Sequence, residues 1–436
     1  MILLGCCFVS NCGGRSSIDA DHYDSLLKTF EIKRDPVVHT HVFRESIPQL
    51  SSRTDLVKGE RIRHDRNHQV VFCIRQNNMD ELIRILHDVS DPLSSNYGQH
   101  LTREEVADLT SNPESRDAVV SYLNLIGASV ISETLSGEYI TANATVAVWE
   151  VMFNTEFFTF HKTHHIDQRV EKVVRAEKYW VPRELDMHVE SVFNTIEMPL
   201  DFMGRLPKLS PASRLKTMDG VTAVISGVIT PYKLKTYYNM SITAGGSSNS
   251  SQGIFGGAGQ YFSPVDLLSF QVKFGLPQVP VTASIGNHSS NSKCVTNSNN
   301  CGESNLDLQY LTAMSPGSPT TFWYTDSSFS VWLLALANTP KPPLVLSISY
   351  GGLEKDFSSS DMDAFTTQAI KLAAMGVTLL ASSGDDGANS YYAMNGSYCG
   401  YYPTFPASNP FVVSVGGTSV SRQRVMLRRH ECCTLV

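Results

Sequence analysis

The apolar run Gly376-Val377-Thr378-Leu379-Leu380-Ala381-Ser382 stops abruptly at Ser383-Gly384-Asp385-Asp386-Gly387. A strand without polar alternation has both faces covered, the mark of a parallel sheet flanked by helices. Leu344–Tyr350 and Phe411–Val415 read as further strands, with Asp361–Met375 as a helix between them. That alternation predicts a doubly wound α/β sheet. In open sheets of this kind ligands bind beyond the carboxyl ends of the strands, which is where Asp385 falls. Taken alone, Ser-Gly-Asp-Asp-Gly also suits an ordinary Asx turn.

Two further carboxylates, Glu303 and Asp307, lie four residues apart in Glu303-Ser304-Asn305-Leu306-Asp307. On a helix they share one face, one turn above the other. Like charges at that spacing cost a helix about 0.2–0.5 kcal/mol, so helix stability does not ask for them. Two distant segments would thus bring three acids to one cleft. The same spacing also fits a solvated helix start, where the helix dipole favours Glu.

The first third of the chain has a different texture. His68–Arg75 alternates as a strand, Met79–His87 is helical, and Thr102 caps a helix running to Leu109. Ser115–Leu125 is a third helix, followed by strand-like Ala128–Glu133 and Glu138–Thr141. This order predicts a compact α+β unit with antiparallel pairing. Residues 201–220 mix Pro, Ser and basic side chains without periodicity and read as an exposed linker. Beyond it, Thr230-Pro231 opens a helix ending near Tyr238, Ser241–Gly253 reads as a Gly/Ser loop, and Ser263 caps a helix over Pro264–Phe274.

A chain of 436 residues, 42% hydrophobic and 18% charged, has the composition of a globular protein of two or three domains. A net charge of −7, with no basic stripe before Arg422, argues against a nucleic-acid partner. No apolar run is long enough to span a membrane. Ile2–Val9 reads as a partial signal peptide without a basic n-region. Sequons at Asn143, Asn239, Asn249, Asn287 and Asn395 point to the secretory route. Cys294 and Cys301 bracket a polar loop at a spacing that permits a local disulfide. No His or Cys pair follows them at zinc spacing. The segment His161-Lys162-Thr163-His164-His165-Ile166-Asp167 reads as an exposed polar loop, with metal binding or acid sensing as its alternatives.

Glu-x-x-x-Asp, then Ser-Gly-Asp-x-Gly, then Pro403-Thr404-Phe405-Pro406-Ala407-Ser408 leading to Gly416-Gly417-Thr418-Ser419 resembles, in order, the sedolisin family of serine-carboxyl peptidases. The likeness is strongest to its lysosomal tripeptidyl peptidase branch. Val89-Ser90-Asp91-Pro92-Leu93-Ser94-Ser95-Asn96-Tyr97-Gly98-Gln99-His100-Leu101-Thr102-Arg103-Glu104-Glu105-Val106 is similar to the propeptide of that family. The resemblance implies a ferredoxin-like propeptide domain over 37–200, after an N-terminal segment 1–36, and a linker over 201–220. It further implies a partial, subtilisin-like peptidase domain over 221–420, followed by an unrelated tail, 421–436. It also implies a zymogen, lysosomal or secreted, that acts in acid on peptide or protein substrates.

An acid-acting serine peptidase needs a base that a low pH does not silence. A His near its ordinary pKa of about 6.5 is charged there, whereas a carboxylate can still serve. The resemblance makes Glu303 that base, Asp307 its orienting partner, and Asp385 a protonated donor to the oxyanion. It places the nucleophile in a later Ser-Gly-Thr-Ser segment, which these residues do not contain. Ser419, at the end of a strand-like run without a following helix start, is not expected to replace it, and Ser383 still less. The calcium that the family implies is ligated beyond this point, so no metal or other cofactor is expected here. An alternative is an inactive splice or truncation product that acts as a propeptide-type inhibitor, or has no function. Oligomeric state is not legible.

Overall fold

A computed structural model describes residues 40–163, 170–199, 229–241, 245–326, 328–385, 387–388 and 400–417. The linker 201–220, Asp386, Cys399, Asn395, Ser419 and the His164–Asp167 part of the histidine segment lie outside the described residues.

The N-terminal unit is antiparallel throughout. Its largest sheet runs in the order Ser129–Glu133, Tyr139–Thr145, Asn67–Ile74, Val189–Phe193. A three-stranded sheet of Leu56–Arg61, Phe157–Thr163 and Val170–Ala176 and a ribbon of His41–Ser46 with Lys178–Pro182 complete it. Between these layers Trp149, Phe153, Phe157, Phe160 and Tyr179 are buried. The indole N–H of Trp149 donates to the carbonyl of His68 at 2.8 Å, satisfying its one polar atom.

Local signals account for the helices here. Leu82, Leu86 and Val89 form the buried stripe of Met79–Ser90. Thr102 and Glu105 make a reciprocal capping box at the start of Arg103–Thr110. Asn112 caps Pro113–Leu125, with Pro113 at its first position.

The second unit is built on six parallel strands in the order Ala283–Ile285, Thr320–Tyr324, Gln252–Gly256, Val345–Ile348, Thr378–Ser382, Val413–Val415. The chain therefore starts in the middle, winds to one edge and returns to wind toward the other. Consecutive residues of the central strand show why both faces are apolar. Ile254 packs with Phe262, Leu308 and Phe322 on one side, while Phe255 packs with Phe329, Trp332 and Phe365 on the other.

This central strand corrects the loop expected over Ser241–Gly253, because Gln252 and Gly253 belong to it. Glycine here serves packing rather than turning. A Cβ on Gly253 would meet Leu346 Cδ2 at 2.8 Å, and one on Gly256 would meet Phe322 Cζ at 2.6 Å. Neighbouring side chains fill the space that a side chain would take.

The two units meet on the helix Ser359–Ala374. Leu82, Leu86 and Val106 from the first unit cluster with Ile370 and Ala374, and Cys73, Tyr139 and Phe193 with Ala364. Within this apolar seam Lys371 is ion-paired with Glu138, both nearly inaccessible, and also donates to Gln76 Oε1 at 2.7 Å.

Candidate active site

The helix Gly302–Met314 carries both acids of the pair. It begins directly after a disulfide between Cys294 and Cys301, the pairing that their spacing permits. Gln260 Oε1 accepts from the backbone N–H of Glu303 at 3.3 Å, satisfying a donor that the first helical turn leaves open. Asn305 ties the same turn to the neighbouring helix, accepting from Ser263 N–H at 2.9 Å and donating to Asp266 at 3.0 Å. Ser304, Leu308 and Thr312 face the sheet, and Glu303 and Asp307 flank that buried stripe.

A third side chain joins them. Ser349 follows the strand Val345–Ile348, and its hydroxyl donates to Asp307 Oδ1 at 2.7 Å. Asp307 Oδ2 is shut off from solvent and has no hydrogen-bond partner. Burial, with the charge of Asp385 adding to it, pushes the Glu303 pKa up to about 7. Asp307 is held well above the ordinary carboxyl range, by burial first and then by the charge of Glu303.

Asp385 stands in a bend after the strand Thr378–Ser382 and is solvent-exposed. Gly384 before it has φ +92°, a conformation that L side chains rarely adopt. The turn is anchored where Ser383 N–H donates to the Val415 carbonyl at 3.0 Å and Thr404 Oγ1 donates to the Ser383 carbonyl at 3.1 Å. The fold thus brings Asp385 within electrostatic reach of Glu303 across the carboxyl ends of two strands.

Ser349 is the member of the site that the sequence reading passed over. Its signal was the alternation Leu346-Ser347-Ile348-Ser349, in which a polar side chain falls at the carboxyl end of a buried strand. Of the sequons, Asn239, Asn249 and Asn287 are exposed, whereas Asn143 is half-buried within the strand Tyr139–Thr145. Among the described residues no three His, Cys, Asp or Glu side chains come together as metal ligands. No described helix is long and apolar enough to cross a membrane.

Fold and site together define a mixed α/β protein: an α+β unit packed on a parallel sheet, with two partly buried acidic groups at the mouth of that sheet. Residues 54–198 match the family described as "Pro-kumamolisin, activation domain". The chain is 32% identical over 371 residues to tripeptidyl-peptidase 1 of Macaca fascicularis and of Homo sapiens, the match covering 80% of this chain and 61% of each relative. It is also similar to Pseudomonas sedolisin, a serine-carboxyl proteinase solved with pseudo-iodotyrostatin, at 25% identity and a TM-score of 0.36, over 45% of this chain and 55% of that one. The chain belongs to the sedolisin family of serine-carboxyl peptidases and spans about three fifths of the length of the tripeptidyl-peptidases it matches.

Proposed function

We propose that the chain carries the acid–base machinery of a serine-carboxyl peptidase zymogen that works in acid and releases tripeptides from free N-termini, in a lysosomal or secreted setting. The observation that carries this reading is the pair Glu303 and Asp307 on one helix face, with Ser349 donating to Asp307 and the charge of Asp385 felt at Glu303. The strand order of the second unit supports a subtilisin-like architecture. The four-stranded antiparallel sheet and helices of the first support a ferredoxin-like propeptide.

In this mechanism the attacking hydroxyl bonds to the scissile carbonyl carbon and gives its proton to Glu303, and the carbonyl oxygen takes up the negative charge. Asp385, protonated, donates a hydrogen bond to that oxygen. Glu303 then passes its proton to the departing amine. Asp307 fixes the Glu303 carboxyl and carries no step of its own. Acid suits the arrangement: protonating Asp385 supplies the oxyanion donor and removes one of the two pressures that raise the Glu303 pKa. The nucleophile is assigned to none of the 436 residues, Ser419 and Ser383 included.

A chimera tests the reading. Residues after Val420 would be replaced by the matching C-terminal segment of human tripeptidyl-peptidase 1, and the acid-treated protein assayed on a tripeptide reporter with a free N-terminus. The expected result is turnover that Glu303→Gln abolishes. Turnover unaffected by Glu303→Gln, or equal turnover by the unextended chain, would overturn it.

A further inference from the structure

A further carboxylate, Asp326, stands at the same mouth of the sheet, two strands away from Ser349. Ile254 of the central strand lies level with Phe322 on one side and with Ser347 on the other. Two residues further on, Gly256 lies level with Tyr324, and Ser349 takes the corresponding place beyond Ser347. Tyr324 and Ser349 share a face as well as a level. Tyr324 packs with Leu308 of the helix Gly302–Met314, and Ser349 donates to Asp307 of that same helix. Neighbouring strands are about 4.8 Å apart, so the two positions are separated by about 10 Å.

Tyr324 presents the carboxylate of Asp326. Its ring is buried, and its hydroxyl accepts from the backbone N–H of Gly259 at 2.9 Å and donates to Asp326 Oδ1. His288 stacks on that ring with centroids 3.2 Å apart, and Tyr261 packs on His288 at 4.3 Å. Asp326 is thereby tied, two residues beyond its strand, to a hydroxyl that the rest of the cluster fixes. Asp326 itself is exposed, and among the described residues no cation pairs with it. The loop that supplies the Gly259 N–H also supplies Gln260, whose Oε1 accepts from the Glu303 N–H, so one short connection braces Tyr324 and the acid helix together.

That separation is the length of a tripeptide. From the amine nitrogen of an extended peptide to the carbonyl carbon of its third residue is about 10 Å. In acid an α-amino group is an ammonium, its ordinary pKa being about 7.7–8.0. A hydrogen bond from such a cation to a carboxylate is about twice as strong as a neutral one. We propose that Asp326, positioned by Tyr324, receives the N-terminal ammonium of a peptide substrate and so sets the third peptide bond beside Glu303. A chain that continues past this point brings an uncharged amide to the carboxylate and forfeits the charged contact. Asp326 determines specificity and takes no part in bond making. The inference deepens the reading of Glu303 as a general base and rests on it, because the ruler is measured from the bond cut there.

The test measures binding to the full, acid-treated chain at pH 5. The probes are trialanine amide with a free N-terminus and its N-acetylated form, titrated by isothermal calorimetry. The free-amine form should bind more tightly by about tenfold or more, the scale of one hydrogen bond to a charged group. Asp326→Asn should erase that preference by weakening the free-amine form alone, and Asp326→Glu, which keeps the charge, should retain part of it. Equal binding of the two forms by the unsubstituted chain, a preference that survives in Asp326→Asn, or no binding of either form would each overturn the proposal. If Asp326→Asn does not fold, the two peptides compared on the unsubstituted chain and on Asp326→Glu still decide. The readout requires no turnover, so failure of the chimera assay is a separate result.

Discussion

The carboxylate of Glu45 accepts from the backbone N–H of Ser360 at 2.8 Å and from the Ser360 hydroxyl, so a strand of the N-terminal unit caps a helix of the other. First-turn amides of the helix Ser359–Ala374 have no partner within the helix, and a negative charge there also meets the positive end of its dipole. Ser358 caps the next amide, that of Asp361, from within the helix's own unit. The helix start is thus shared between the units.

Removing the outside cap should loosen that start without unfolding either unit. Loss of a helix cap costs about 0.5–2 kcal/mol, or roughly two- to thirtyfold in a local opening equilibrium. Amide hydrogen exchange on the intact chain should show the Ser360 amide exchanging faster by that factor in Glu45→Ala. The Asp361 amide, held by Ser358, should change less. Equal acceleration at both would mean that Glu45 acts on the whole interface rather than as a cap.

Lys371 and Glu138 form a buried ion pair between the two units, with side chains 4% and 5% accessible. Breaking such a pair from one side leaves a buried charge uncompensated, at a cost of about 3–5 kcal/mol, whereas replacing both by apolar groups is often near neutral. Lys371→Met should therefore lower the denaturation midpoint markedly, and adding Glu138→Leu should recover much of it. A double variant less stable than the single one would show that Gln76, the other acceptor of Lys371, carries the larger share.

Two more buried acids set the sign of the pH response at this seam. Burial pushes Asp361 up to about 6 despite the hydroxyls of Ser330 and Ser328, and the charge of Glu45 adds to the push. Burial raises Glu197 to about 7 against Arg175, with Asp361 adding to the rise. Each folded-state pKa lies above its unfolded value, so the folded protein binds these protons more tightly. The resulting stability is fully present below the ordinary carboxyl range and is lost as pH rises through about 6 and then about 7. Asp55 works the other way: burial would raise it, but hydrogen bonds from Arg53 and Lys162 outweigh that and hold it well below the usual range, so it stays charged in mild acid. Thermal unfolding should accordingly occur at a higher temperature at pH 5 than at pH 7.5, and Asp361→Asn should flatten part of that slope. A midpoint that rises with pH would show that other groups dominate the seam.

Much of this architecture was legible because local signals and burial agree. The caps at Thr102, Thr230 and Ser263 and the apolar runs near Val345 and Thr378 all mark elements at or within a few residues of their observed bounds. The central strand Gln252–Gly256 was not legible, since its glycines are demanded by Phe322 and Leu346, residues far away in sequence. Ser349 was hidden for a similar reason: a strand-end serine has no meaning until the helix Gly302–Met314 is laid beside it. The i, i+4 acids were visible, because helix geometry alone puts them together. The exposure of Asp385 was not, because it depends on what covers the turn.

In a chimera completed with a nucleophile-bearing segment, Glu303→Gln and Asp385→Asn should each lower kcat by about a hundredfold or more, the scale for losing a general base or an oxyanion donor. KM should move much less, since neither group is assigned to ground-state binding. Asp307→Asn should cost less at its optimum and displace the pH profile, as expected of a group that acts through Glu303. Near-normal kcat in Glu303→Gln or Asp385→Asn would remove that residue from its role.

The last prediction concerns where the two units part. Ile196 is buried in the core of the first unit, and Thr230 caps the helix Pro231–Tyr237 of the second. The stretch between them contains Pro207, Pro211 and the four basic side chains Arg205, Lys208, Arg214 and Lys216, so cleavage during acid maturation should fall between Asp201 and Thr222. Because Asp361 and Glu197 favour docking at low pH, cutting the chain should not by itself release the first unit. The expected outcome is a nicked protein whose two pieces co-elute on gel filtration at pH 5, with a new N-terminus inside that window by terminal sequencing. A terminus upstream of Glu190 or downstream of Tyr232 would place the boundary inside one of the packed units, and would undo the assignment of Glu303 and Asp385 to a unit separable from the propeptide.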